Sequence, residues 1–506
     1  MNIAEAKSQV KNAMTAYFAR DEFGNYKIPV EKQRPVLLLG PPGIGKTAIM
    51  EQIASEMSVG LVSYSMTHHT RQSALGLPYI KEEEFEGHEY SVTEYTMSEI
   101  IAKMYSLMRE TGVREGILFL DEINCVSETL SPAMLQFLQY KVFGQHRIPK
   151  GWIVVTAGNP PEYNKSVRDF DIVTLDRLKR MDIEPDYEVW RRYALSKGVH
   201  PSILTYLAAR KKDFYKVEST VDGKNFVTPR GWEDLSEMIR LYEETGIKVD
   251  ETLIVQYLQD PRIAKDFAIY YDLFRKYRSD YKIESILAGN PEENIVLRAQ
   301  RAKSDERLSF LGLLFDAVTG ELRKVCEKED MLDLLTPLLR KVHEEMGEGV
   351  EEPAAVLEQH IEEETDNLEK GRLASSVSES RQRCIQMMLA ELNDYKAELI
   401  HAGLAEGGEE AFDLIRKKFG ASVSELRSAA DRGREMLENA FSFCEKAFEE
   451  GEEILIFVTE LTVNYYTARF IGHYGCDKYY LHNKELQFAE RQKEIQSRVD
   501  KINWEL

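Results

Sequence analysis

Along the first 185 or so residues, short apolar runs alternate with segments of helical period. Val36 to Leu39, Leu61 to Met66, Gly116 to Leu120 and Trp152 to Ala157 are runs of four to six residues bounded by polar or turn-forming ones, the pattern of buried strands. Residues 4–19, 48–57, 97–110 and 128–139 carry apolar positions three or four apart and predict helices between those strands. Two stretches alternate weakly and read as β-hairpins: 79–96, turning at Glu86-Gly87-His88, and 142–149, turning near Gly144. From Glu188 the strand pattern stops. Helical segments follow at 188–196, 201–211, 230–244 and 250–281, then a break at Gly289-Asn290-Pro291. Beyond it the period stays helical over 308–325, 331–346, 357–368, 382–400 and, with interruptions, 426–496, punctuated at Gly347-Glu348-Gly349 and Gly407-Gly408. The expected organisation is an α/β domain with a parallel sheet over 1–187, a helical domain over 188–290 and an all-α domain over 291–506.

Composition narrows this picture. A chain of 506 residues with 43% hydrophobic content can build several cores. Its net charge of −21 weighs against a bulk nucleic-acid binder, which needs clustered Lys and Arg. The charge is uneven, since residues 321–380 hold 17 acidic and 7 basic side chains. Most simply, the acidic run 343–369 is a solvated helix surface, with a patch for a basic partner as the alternative. The five cysteines form no C-x-x-C pair and read as ordinary thiols of a reducing cytoplasm. Neither a secretory leader nor a membrane span is expected, the run Ile454 to Val458 being far too short. His473, Cys476 and His482 have a loosely metal-like spacing but lack a fourth ligand. Five tyrosines (Tyr465, Tyr466, Tyr474, Tyr479, Tyr480) are read as core packing, or else as a partner face.

The chemistry concentrates where the first apolar run ends. Gly40-Pro41-Pro42-Gly43-Ile44-Gly45-Lys46-Thr47 fits G-x-x-x-x-G-K-[ST], a loop whose backbone N–H groups cradle phosphates. In such a loop Lys46 faces the β- and γ-phosphates and Thr47 supplies a hydroxyl for magnesium. The run 116–120 ends in Asp121-Glu122, one carboxylate suited to the metal and one to polarising water. The run 152–157 ends in Gly158-Asn159-Pro160, where Asn159 can orient water or simply begin an Asn-Pro turn.

In order along the chain, GPPGIGKT, LFLDEIN, VTAGNPPEYN and LDRLKRMDI resemble the motifs of AAA+ ATPases, specifically the MoxR group, over residues 30–240. The two hairpins are similar to that group's helix-2 and pre-sensor-1 insertions. The resemblance implies ATP and Mg2+ as ligands, and a homo-oligomeric ring, usually of six subunits, with ATP at each junction. It gives Asn159 the sensor 1 position and Arg177, in Leu175-Asp176-Arg177-Leu178, the arginine finger, with Arg180 as a rival. Where Leu178 stands the family more often has Phe. Val227-Thr228-Pro229-Arg230-Gly231-Trp232 resembles the sensor 2 signature, which puts Arg230 at a helix start facing the nucleotide. A chaperone or remodelling motor is thus expected, with a von Willebrand factor A domain partner implied by the family alone. A nucleic-acid-directed NTPase, disfavoured by the acidic balance, and a nucleotide-state switch without sustained turnover are the alternatives.

Overall fold

The computed structural model describes residues 1–163, 167, 170–220, 223–347, 353–404, 408–449 and 451–484. Asn164, Glu348-Gly349, Gly407 and residues 485–496, which figured in the expected motif, breaks and last helix, lie outside the described residues. The chain forms two units, residues 1–189 with 359–389, and residues 190–358 with 390–506.

In the first unit, α1 (Ile3–Phe18) precedes β1 (Val36–Leu39), α2 (Lys46–Met57), β2 (Gly60–Ser65) and α3 (Arg71–Leu75). Next come the hairpin β3 (Pro78–Phe85)–β4 (His88–Tyr95), α4 (Glu99–Thr111), β5 (Gly116–Asp121) and α5 (Ser131–Tyr140). A second hairpin, β6 (Val142–Phe143)–β7 (His146–Arg147), leads to β8 (Trp152–Gly158), α6 (Ile172–Leu175) and β9 (Lys179–Asp182). The sheet is parallel, in the order β2-β5-β8-β1-β9. Its central strands are buried along their length, which is why they read as unbroken apolar runs. A row of three residues fixes the register at one end: Gly60, Gly116 and Trp152 are neighbours across β2, β5 and β8. The Trp152 ring lies over both glycines, and a Cβ on Gly116 would sit 2.8 Å from it.

Strand β9 was not among the expected strands. Its sequence, Lys179-Arg180-Met181-Asp182, buries only Met181, because it is an edge strand and carries the charges that discourage further pairing. The opposite edge, β2, is capped by a distant part of the chain. Helices α15 (Pro353–Leu373) and α16 (Glu379–His401) form a hairpin whose tip belongs to this unit. Ala374 is fully buried in the same apolar cluster as Val62, Leu118 and Val154.

The second unit takes in most of α7 (Tyr187–Lys197), then α8 (Pro201–Ala209), β10 (Lys216–Thr220), β11 (Gly223–Val227), α9 (Pro229–Thr245), α10 (Glu251–Tyr257) and α11 (Pro261–Tyr281). It continues through α12 (Ile283–Leu287), α13 (Glu293–Arg301), α14 (Ser304–Gly347), α17 (Gly408–Phe448), α18 (Glu452–Val463) and α19 (Tyr465–Tyr474). The antiparallel pair β10–β11 interrupts what helical periodicity presented as helices alone. Two expected helices, 308–325 and 331–346, are a single one, α14, since the intervening Glu327-Lys328-Glu329-Asp330 contains no helix breaker. Phe267, Tyr271 and Phe274 are core residues, with Trp232 edge-on to Phe267 at 5.3 Å between ring centroids. One apolar cluster runs from Phe274 through Ile286 and Ile295 to Phe310, across the Gly289–Pro291 break. Tyr479 is buried whereas Tyr465 and Tyr480 are exposed. His473 pairs with Glu329 and His482 with Glu445, so these two histidines go to different carboxylates. Among the described residues no group of three or more His, Cys, Asp and Glu side chains is placed to hold a metal by itself, and no helix is long and apolar enough to cross a membrane.

Candidate nucleotide site

The loop Gly40–Gly45 joins β1 to α2, and its shape follows from its glycines. Gly43 and Gly45 adopt φ of 74° and 93°, the left-handed region. Gly40 is needed for a close approach: a Cβ there would meet the Ile183 carbonyl oxygen at 2.6 Å. Gly45 is also the N-cap of α2 and has no side chain with which to cap it. The N-cap therefore supplies no side-chain acceptor at the positive end of a 12-residue helix, an arrangement suited to phosphate oxygens.

Lys46 is buried, and its Nζ donates to the carbonyls of Gly40 (2.7 Å) and Pro41 (2.8 Å) and to Asn159 Oδ1 (2.9 Å). The ammonium is thus fixed at the loop by three oxygens, one of them from the end of β8. The Thr47 hydroxyl donates to Asp121 Oδ2 at 3.0 Å. Thr47 and Asp121 converge as two hard oxygen donors, a set that suits a magnesium ion completed by water and phosphate oxygens.

Glu122 follows β5 with φ of 54°, left-handed for a side chain that has no intrinsic reason to be there. Such a residue costs about 1–3 kcal/mol and persists where its surroundings over-determine it. Here they do. Its N–H donates to Asp121 Oδ1 at 2.8 Å, and its Oε2 accepts from Ser65 Oγ (2.8 Å) and Thr67 Oγ1 (3.0 Å). Asn124 is buried just beyond, donating through Nδ2 to the Asn159 carbonyl at 2.8 Å. Ser65, Thr67 and Asn124 had no assigned role in the sequence. The one signal that could have found Ser65 is its position at the end of the strand beside β5, where it is the register partner of Asp121.

Five candidate residues thereby meet at the ends of β1, β5 and β8 in two hydrogen-bonded sets, Lys46 with Asn159 and Thr47 with Asp121 and Glu122, joined by the Lys46–Thr47 peptide bond. Arg177 stands outside both sets. It is exposed after α6, with Nη1 donating to Gln139 Oε1 at 2.7 Å. Beside it Ile172 and Val173 are 85% and 60% exposed. Arg180, also exposed, is engaged by Asp182 through Nε at 2.9 and 3.1 Å. Arg230 belongs to the second unit, where it is exposed in the first turn of α9. That helix is capped by Thr228, whose hydroxyl accepts from the Gly231 N–H at 3.2 Å.

Comparison with known proteins agrees with this geometry in its extent. Residues 36–172 match the family model described as ATPase family associated with various cellular activities (AAA). Among curated proteins, the replication factor C large subunit of Pyrobaculum arsenaticum is 26% identical over 175 residues, 33% of this chain. The match spans 33% of that relative's own length. Among solved structures, a point mutant of Thermotoga maritima RuvB aligns over 50% of this chain and 69% of that one, at 15% identity and a TM-score of 0.29. This chain carries, over residues 36–172, an AAA ATPase family domain.

Proposed function

We propose that the protein hydrolyses ATP as a ring of identical subunits and uses the cycle to remodel a protein client, in the manner of the MoxR group. The observation that carries the hydrolysis is the convergence of two hydrogen-bonded sets, Lys46 with Asn159 and Thr47 with Asp121 and Glu122, on the adjacent loop residues Lys46 and Thr47. In this reading the loop N–H groups and Lys46 hold the triphosphate, and Thr47 and Asp121 hold the magnesium ion. Magnesium, when bound, neutralises charge on the phosphate oxygens. Glu122 orients and polarises the attacking water, while Asn159 fixes the Lys46 ammonium and the far side of the water position. Arg177 is exposed, hydrogen-bonded to the neutral Gln139 amide and drawn electrostatically to the exposed Asp171 carboxylate, which leaves it available to a neighbouring subunit's γ-phosphate. The uncovered Ile172 and Val173 beside it support a second copy as the neighbour. Arg230 is proposed as the second unit's sensor of the nucleotide. A six-membered ring, a von Willebrand factor A domain partner and a cytoplasmic location rest on the family resemblance.

The test is to mix Glu122→Gln with Arg177→Ala, each inactive alone. Junctions that receive an intact finger from one subunit and Glu122 from the other should regain part of the wild-type rate. No recovery at any ratio, with mixed rings demonstrated by mass, overturns the shared site.

A second reading, action on nucleic acid, is favoured by the similarity to a replication factor C subunit. Against it stand the charge of −21 and the engagement of Arg210, in the basic triplet Arg210-Lys211-Lys212, by Asp266 at 2.8 Å. A rise of tenfold or more in ATPase rate on adding duplex or single-stranded DNA would favour it.

A further inference from the structure

Strands β5 and β8 pair as far as Leu120 and Thr156. Beyond that point the backbone of β8 pairs with β1 alone. Ala157 and Gly158 stand opposite Leu38 and Leu39, and the Gly158 carbonyl accepts from the Gly40 N–H at 3.3 Å. The ladder therefore leaves β5 just before the two groups proposed to flank the attacking water, Glu122 after one strand and Asn159 after the other. Asn124 spans the opening. After Glu122 the chain makes a single 3-10 turn, Ile123–Cys125, in which the Cys125 N–H donates to the Glu122 carbonyl at 2.9 Å. Within that turn Ile123 is buried in the apolar core, and Asn124 donates through Nδ2 to the Asn159 carbonyl at 2.8 Å.

The Asn124 amide is seated on Gly158. A Cβ there would meet Asn124 Oδ1 at 2.5 Å, Cγ at 2.8 Å and Nδ2 at 3.0 Å, and these are the three atoms nearest to it. The missing side chain of residue 158 is thus the space the amide occupies. Asn124 is 6% exposed, and its Oδ1 has no hydrogen-bond partner among the described residues. A buried acceptor left unpaired is destabilising, and a leucine would fill much the same volume without one. Packing therefore does not account for an amide at this position, whereas the Nδ2 bond to Asn159 does. Resting on the hydrolysis proposed above, we infer that Asn124 is a positioning residue for that reaction. Its amide fixes the separation between the strand tip that carries Asn159 and the turn that carries Glu122, and so keeps the two sides of the water position in register. Its effect falls on the chemical step rather than on binding, because Lys46 keeps the Gly40 and Pro41 carbonyls whatever the Asn159 side chain does.

Three single variants of the full-length chain test this. Gly158→Ala keeps Asn124 but sets a methyl group in the space of its amide. Asn124→Ala removes the amide, and Asn124→Leu removes it at nearly constant volume. Single-turnover hydrolysis with magnesium, equilibrium ATP binding and thermal unfolding are measured on each. The expected result is a rate lowered about tenfold to hundredfold in all three, the scale of a slightly misplaced catalytic group, with ATP affinity within about twofold of wild type. Once Asn124 is alanine the methyl of Gly158→Ala has room, so the double variant should be no slower than the slower single one. Asn124→Leu is the decisive case, since its unfolding midpoint should stay within about 4 °C of wild type while its rate falls. A residue that only stabilises the fold would leave that rate unchanged, and such a result overturns the proposal. So do rate losses matched by equal losses of ATP affinity, and effects that multiply in the double variant. If wild type does not hydrolyse ATP, the functional reading fails and the proposal falls with it; if wild type turns over and Glu122→Gln does not, unchanged rates in the Asn124 and Gly158 variants count against Asn124 alone.

Discussion

Arg177 and Arg180 are three residues apart, both exposed, and either could serve as a finger on sequence grounds, so replacing each by alanine is informative. Arg180 is held by both oxygens of Asp182 on its own strand, an exposed pair worth about 0–1 kcal/mol. Drawing it away would strand Asp182, and losing it should cost no more than that in stability. Arg177 gives up a hydrogen bond to the neutral Gln139 side chain, about 1 kcal/mol at an exposed site, and a solvent-screened attraction to the exposed Asp171 carboxylate. A finger engaged with a neighbour's γ-phosphate contributes about 10³–10⁵ in kcat, or roughly 4–7 kcal/mol at the transition state. That gain exceeds the cost of release several-fold. Steady-state ATPase assays with separately measured nucleotide affinity should give Arg177→Ala a kcat lower by at least about 10³ and an unchanged Kd. Arg180→Ala should stay within about fivefold of wild type. The reverse ranking, or equal small effects, would refute the assignment.

Other expectations follow from the packing and the buried charges. Trp152→Ala should cost about 3–5 kcal/mol in urea unfolding because it empties the space over Gly60 and Gly116, whereas Trp152→Phe, which also removes the unpartnered indole N–H, should cost clearly less. Burial pushes the Lys141 ammonium down to about 8, with Nζ donating to the Leu138 carbonyl. Its folded pKa is depressed, so between about pH 8 and the usual lysine value the unfolded chain binds more protons and wild-type stability rises with pH. Lys141→Met should therefore be more stable than wild type at pH 7, by at most about 3 kcal/mol, and lose that advantage by about pH 10.5. In the second unit, burial raises the Glu243 carboxyl, but His200, Tyr271 and Arg278 outweigh it and hold it at about 2. Its contribution to stability is complete above the ordinary carboxylate range and is lost as pH falls toward about 2, a loss that Glu243→Gln should remove from the acid side of the stability profile.

The legible parts of this protein are those where chemistry dictates spacing. A phosphate loop needs its glycines, lysine and threonine in one contiguous order, and three of the five sheet strands, β1, β5 and β8, are apolar runs because both faces are buried. The fifth, β9, was hidden by the charges an edge strand carries. The β10–β11 hairpin was hidden among polar residues, with Val227 its only buried side chain among those described. Ser65 and Thr67 are ordinary until the parallel register sets β2 beside β5. Nothing local in Gly371 to Val377 announces a partner on β2, some 310 residues earlier in the chain. Long-range pairing of this kind leaves no periodic trace.

The central claim is that Glu122 turns a nucleotide-binding loop into a hydrolytic site. Single-turnover hydrolysis of ATP with magnesium, alongside equilibrium ATP binding, tests it directly in wild type and Glu122→Gln. The account predicts equal binding, phosphate release by wild type, and a rate at least about 10²-fold lower in Glu122→Gln. Equal phosphate release by the two proteins, or none by wild type in its assembled form, would contradict it.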